Sequence, residues 1–114
     1  MKTKIALLTG LLLCAPWLEA KEWLIDVRTP EEFTTSHLPS AVNLPYDQIV
    51  PALARLDVSK EDTLYLYCHS GRRAGIARDE LTRAGYRHVE NLGGMEQAQI
   101  WQGTQQRHAK QAGH

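Results

Sequence analysis

Apolar and polar positions along this chain fall into two kinds of block: short strand-like runs, and stretches with apolar residues at helical spacing. The strand-like runs are Trp23-Leu24-Ile25-Asp26-Val27, Ala41-Val42-Asn43-Leu44, Thr63-Leu64-Tyr65-Leu66-Tyr67 and Arg87-His88-Val89-Glu90. The third is β-branched and aromatic, which predicts a buried strand. Between the first two, Thr29-Pro30-Glu31-Glu32 predicts a helix start: Thr29 caps, Pro30 suits the first helical position, and Glu32 closes a capping box. That helix is short, because Leu38-Pro39 follows. Tyr46 to Leu56 carries Ile49, Val50, Leu53 and Leu56 at helical spacing, and Pro51 within it predicts a short helix, a kink or two separate turns. Arg73 to Ala84 carries Ile76, Ala77, Leu81 and Ala84 on one face and is stopped by Gly85 as a left-handed cap. Met95 to Trp101 predicts a last helix, while the polar stretch from Thr104 to His114 lacks periodicity and predicts a frayed tail. Alternating short strands and helices predict one α/β domain over residues 21–103 with a mostly parallel sheet. Ligands of such sheets bind beyond the carboxyl ends of the strands.

Residues 1–20 are of a different character. Met1-Lys2-Thr3-Lys4 is basic, and Ile5 to Ala15 is apolar except at Thr9 and Gly10. Pro16 to Ala20 then resembles a cleavage region ending on a small residue, with a larger Leu18 two positions before it. The apolar run is too short to cross a hydrocarbon core of ~30 Å at 1.5 Å per residue. The expectation is a secretory leader removed before Lys21. Cys14 is preceded by Leu13 rather than a small residue, which disfavours a lipid anchor there. Leader removal leaves Cys68 as the only cysteine, so no disulfide forms within the chain. A net charge of zero gives no sign of a nucleic-acid or polybasic membrane surface, and 114 residues suit one core.

Cys68 opens the segment Cys68-His69-Ser70-Gly71-Arg72-Arg73-Ala74-Gly75, at the end of a strand and the start of a helix. Unpaired backbone N–H groups and the positive end of a helix dipole make that junction suited to a thiolate and to anionic substrates. His69, Arg72 and Arg73 add positive charge, and Gly71 lets the backbone turn with an N–H directed inward, as in an anion-binding nest. A cysteine ending a buried strand also serves as a small hydrophobe. The basic, glycine-containing loop moves the reading to a functional thiol.

This loop resembles the active-site loop of rhodanese-type sulfurtransferases, C-x-x-G-x-R followed by a small residue. Asp26-Val27-Arg28-Thr29-Pro30-Glu31-Glu32-Phe33, with His37-Leu38-Pro39-Ser40-Ala41-Val42-Asn43-Leu44-Pro45, resembles the family's N-terminal signature, and Asn91-Leu92-Gly93-Gly94-Met95 its C-terminal one. With the leader, the resemblance is nearest to single-domain periplasmic members. It implies a five-stranded, mainly parallel sheet with helices on both faces. It implies thiosulfate:cyanide sulfurtransferase activity, in which Cys68 takes sulfur from thiosulfate as a persulfide and passes it to cyanide or another thiophilic acceptor. Backbone N–H groups of His69, Ser70, Gly71, Arg72 and Arg73 would stabilise that persulfide, with no metal or organic cofactor. Related phosphatases and arsenate reductases use C-x5-R, but Arg73 arrives one position too early for that loop, and Tyr67 stands where those phosphatases carry His.

Arg73 is expected to hold the loop or the substrate anion, or to make an ordinary salt bridge. His69 and Arg72 are expected at the entrance, where they would attract dianionic thiosulfate. Asp26 and Arg28 are expected to order the scaffold, with Asp26 accepting hydrogen bonds from Arg73 or the loop amides. His37 reads as structural, and His88, His108 and His114 have no metal-ligand spacing. Trp23 and Phe33 read as core residues. A persulfide carrier serving a protein partner and an inert interaction domain are the competing readings. The expected protein is a monomer or weak dimer with no nucleic-acid partner and no membrane contact once the leader is gone.

Overall fold

A computed structural model describes residues 20–112, so the expected leader, residues 1–20, lies outside the described residues except for Ala20, as do the last two residues of the chain. Four strands, β1 (Glu22–Asp26), β2 (Val42–Asn43), β3 (Thr63–Tyr67) and β4 (His88–Gly93), form one sheet in the order β2-β1-β3-β4. Every pairing is parallel. The helices are α1 (Pro30–Thr35), α2 (Ile49–Arg55), α3 (Arg72–Arg83) and α4 (Met95–Ala112), with a 3-10 turn at Tyr46–Gln48 ahead of α2.

Local chemistry accounts for the boundaries. Thr29 Oγ1 accepts from the Glu32 amide at 3.2 Å while Glu32 Oε1 accepts from the Thr29 amide at 3.0 Å, which completes the expected capping box of α1. In α2, Pro51 falls in the first turn, where a missing N–H costs no helical bond. The break in the Tyr46–Leu56 stretch therefore comes at Gln48, before the proline. After α3, Gly85 takes φ +103°, and the bonds Gly85 N→Thr82 O (3.1 Å) and Tyr86 N→Leu81 O (3.0 Å) close the helix end.

Strand alternation divides the core in two. Ile25, Val27, Leu64 and Leu66 pack under α2 and α3 with Ile49, Leu53, Ala74, Ala77 and Leu81. On the other face Leu24 and Tyr67 meet Leu38, Leu92, Met95 and Ala98 under α4. Trp101 of α4 lies against Tyr65, with ring centroids 4.4 Å apart. Trp23 and Phe33 are half-buried. Helices thus cover both faces.

Two expectations are corrected. The sheet has four strands among the described residues, not five, because only four runs have strand character and the remaining C-terminal chain is taken up by α4. The stretch from Thr104 is helical through Ala112 rather than frayed. Apart from Thr104 and His108 it is built of Gln, Ala, Arg and Lys, good helix formers, and it is exposed over Gln105–Gln111. Missing apolar periodicity there marks a helix without a buried face, not the loss of helix.

Candidate active site

Three chain segments leave the sheet at its carboxyl end and meet: Val27–Arg28 after β1, Cys68 after β3, and the Gly93-Gly94 turn after β4. Parallel pairing continues one step past the strands. The Val27 amide donates to Tyr67 O at 3.0 Å, and the Cys68 amide donates to Gly93 O at 3.1 Å. The peptide unit joining Tyr67 to Cys68 is thereby anchored to both neighbours before the loop begins.

The loop then turns back over its own sulfur. The Gly71 amide donates to Cys68 Sγ at 2.9 Å, with Gly71 at φ +96° and a hypothetical Cβ there only 3.2 Å from Gly93 Cα. Both the left-handed backbone and the close approach require glycine. Gly71 is also the N-cap of α3, its carbonyl accepting from the Gly75 amide at 3.0 Å. The amides of Arg72, Arg73 and Ala74 precede that first intrahelical bond, at the positive end of a 12-residue helix.

A second segment clasps the loop from outside. Asn91 Nδ2 donates to Gly71 O at 2.9 Å, and Asn91 Oδ1 accepts from the Gly93 amide at 2.8 Å. One side chain thus joins the Cys68 loop to the β4–α4 turn. Ser70 forms an isolated antiparallel bridge with Gly94. A Cβ on Gly94 would stand 2.5 Å from His69 O, so the two backbones touch where no side chain fits. Gln97 completes the turn, its Oε1 accepting from the Gly94 amide at 3.1 Å.

The charges sort differently from the sequence expectation. Asp26 is fully buried and accepts from Arg28, from its amide at 2.9 Å and from its guanidinium at 2.7–3.1 Å. The expected bonds from Arg73 or the loop amides to Asp26 are therefore corrected: the chain turns immediately after β1 and returns Arg28, two residues on, to the same carboxylate. The hydrogen bond that Arg28 donates to Asp26 raises the Arg28 pKa. Arg28 also donates to Ser36 O at 2.6 Å, and its guanidinium lies 6.0 Å from the Tyr67 ring centroid. Burial pushes the Tyr67 hydroxyl up to about 12, and its oxygen accepts from the Leu38 amide at 3.1 Å.

Arg73 pairs with Glu32 in fork geometry, at 2.9 and 3.1 Å. This bond holds the Glu32 carboxyl down at about 2 and raises the Arg73 guanidinium. The ordinary salt bridge considered for Arg73 is thus the one that forms, and it ties the Cys68 loop to α1. His69, Ser70 and Arg72 are exposed. Cys68 is 1% exposed and belongs to the apolar cluster under α3, so both descriptions of that thiol, core residue and loop residue, apply. His37 is exposed, stacks on Phe33 at 3.6 Å and has Nδ1 2.8 Å from Phe33 O.

Sequence reasoning brought Cys68, His69, Ser70, Gly71, Arg72 and Arg73 into one loop but gave no role to Asn91, Gly94 or Gln97, and none to Glu32 beyond its cap. The signal for the first two lay in the Asn91-Leu92-Gly93-Gly94 stretch, where an adjacent glycine pair marks a close backbone approach. Chemically, the arrangement offers a sulfur under a fixed N–H at a helix end, followed in the chain by the exposed His69 and Arg72, which suits negative charge on sulfur.

A family model described as "Rhodanese-like domain" matches residues 14–100. The chain is 38% identical over 95 residues to the Escherichia coli thiosulfate sulfurtransferase PspE, covering 83% of this chain and 90% of that one. It is 32% identical over 69 residues to the Bacillus subtilis putative sulfur carrier protein YrkF, covering 60% of this chain and 36% of that longer one. Among solved structures, a rhodanese from E. coli described with anions superimposes with TM-score 0.63 at 39% identity, over 67% of this chain and 89% of that one.

Proposed function

The chain belongs to the rhodanese-like family, and from that membership we propose that it is a thiosulfate sulfurtransferase in which Cys68 carries the transferred sulfur as a persulfide. The observation that supports this most is the 2.9 Å approach of the Gly71 amide to Cys68 Sγ at the head of α3. A donor fixed before reaction stabilises developing charge without reorganisation.

The Cys68 thiolate attacks the outer sulfur of thiosulfate. The sulfur–sulfur bond of the donor breaks, its electron pair leaves with sulfite, and Cys68–S–S⁻ remains. A thiophilic acceptor, cyanide in an assay or a thiolate in the cell, then attacks the terminal sulfur and returns the electron pair to Cys68. The attacking species is the Cys68 thiolate, which once formed needs no general base. Arg72 and His69 attract the dianion at the rim. Arg73 and Glu32 hold the loop, and Asp26 with Arg28 orders the end of β1. The leader pattern supports export to the periplasm, and no helix among the described residues is long and apolar enough to cross a membrane.

Similarity to a putative sulfur carrier favours one alternative, a domain that hands its persulfide to a protein partner. Steady-state rates with thiosulfate and cyanide varied together separate the two. The enzyme reading expects parallel double-reciprocal lines and a higher kcat/KM for thiosulfate than for 3-mercaptopyruvate. Stoichiometric persulfide formation without turnover would favour the carrier, and a preference for 3-mercaptopyruvate would overturn the donor assignment.

A further inference from the structure

Far from the Cys68 loop, at the opposite end of the sheet, Asp62 is only 4% exposed and collects three donors. The Lys21 amide nitrogen lies 2.9 Å from its Oδ1, while Trp23 Nε1 and the Ser59 amide lie 3.0 and 3.1 Å from its Oδ2. Burial works to raise this carboxyl, and the bonds from Lys21, Trp23 and Ser59 outweigh it and lower it. The Lys21 backbone is fixed on its other side too, since its carbonyl accepts from the Thr63 amide at 2.8 Å. The nitrogen of Lys21 is thus held against a buried anion by the pairing of β1 with β3. That nitrogen is also the atom that becomes the chain terminus if the leader is removed after Ala20.

We propose that hydrolysis of the Ala20–Lys21 bond turns this amide into an ammonium whose counterion is Asp62, so that leader removal itself adds an ion pair locking β1 to β3. The reacting species are water and a leader-removing endoprotease. The water oxygen goes to the Ala20 carboxylate, and the freed Lys21 amine takes up protons. The proposal rests on the leader reading of residues 1–20 and not on sulfur chemistry. It also makes the cut position specific. A terminus at Ala20 leaves Lys21 N an amide, and a terminus at Glu22 deletes the donor. Charge-assisted hydrogen bonds are roughly twice as strong as neutral ones, so the conversion is worth about a fivefold change in the unfolding equilibrium.

The test is a cycle on the chain starting at Lys21, with its terminus free or acetylated, in the Asp62 protein and in the Asp62→Asn variant. Acetylation restores the amide of the uncut chain. The expected result is that capping raises the unfolding constant about fivefold in the Asp62 protein and less than about twofold in the Asp62→Asn variant. Equal effects in both backgrounds, or none, would overturn the proposal. Where Asp62→Asn fails to fold, acylation of the α-amine gives the second measure. It is expected to run at least about tenfold slower in the folded wild type than in a peptide of residues 21–26, and equal rates would contradict the ion pair. Terminal sequencing of the exported protein must find Lys21 first. Any other first residue overturns the ion pair while leaving the sulfur assay untouched.

Discussion

Cys68 combines two environments that usually belong to different cysteines. Its backbone and side chain are built into the apolar core under α3, while its sulfur faces the N–H of Gly71. The glycines around it are there for closeness. Gly94→Ala would drive a methyl group to 2.5 Å from His69 O, and backbone cannot yield there without moving the loop. The expected outcome is destabilisation of about 1–3 kcal/mol and at least about a tenfold loss of thiosulfate turnover. Urea unfolding and cyanide assays measure the two, and an unchanged turnover would show that the His69–Gly94 contact does not shape the site. At this scale the sequence was most legible where the partners are near neighbours, as in Cys68-His69-Ser70-Gly71-Arg72-Arg73. Asn91 was not, because its target Gly71 lies 20 residues away and nothing in local spacing announces the bond.

Elements meet at Glu32. This residue closes the capping box of α1 and pairs with Arg73 at the start of α3, 41 residues away. The cap was readable from Thr29-Pro30-Glu31-Glu32, and the ion pair was not. α1 has no buried residue of its own, so it is tied to the domain by the Glu32–Arg73 pair and by Arg28 donating to Ser36 O at its far end. The folded-state pKa of about 2 lies below the ordinary value of 4.5. A depressed carboxyl stabilises fully above its unfolded value, and that contribution is lost as pH falls from about 4.5 toward 2. The carboxylate is 37% exposed, so solvent screening keeps the pair near about 1 kcal/mol or less. Glu32→Gln retains the cap oxygen and removes the charge. Its stability deficit should be present at pH 7 and fade across that acid window in urea titrations. A deficit independent of pH would mean that the ion pair with Arg73 contributes nothing. The short Val42–Asn43 strand and the long α4 show the same limit from the other side. The strand pairs with only Ile25 and Asp26 of β1, which its own apolar run does not announce, and the last turns of α4 need no buried face.

For the molecule as a whole, the parallel order β2-β1-β3-β4 sends three strand ends to one edge, and the Cys68 loop, Arg28 and the Gly93-Gly94 turn all stand there. The distal half of α4 takes no part in that edge. Deleting residues 107–114 should change stability by less than about 0.5 kcal/mol and leave sulfur transfer intact, since Arg107 to Gln111 are exposed. Loss of turnover on that deletion would place part of the site on α4. The fold class was legible because four apolar runs alternate with helical spacing. The fifth strand expected from the family resemblance has no run among the described residues to form it. The central claim is that Cys68 holds sulfur covalently, and intact mass after thiosulfate exposure tests it most directly. A gain of one sulfur atom, reversed by cyanide and absent from Cys68→Ala, is the predicted result, and a wild-type mass unchanged by thiosulfate would contradict it.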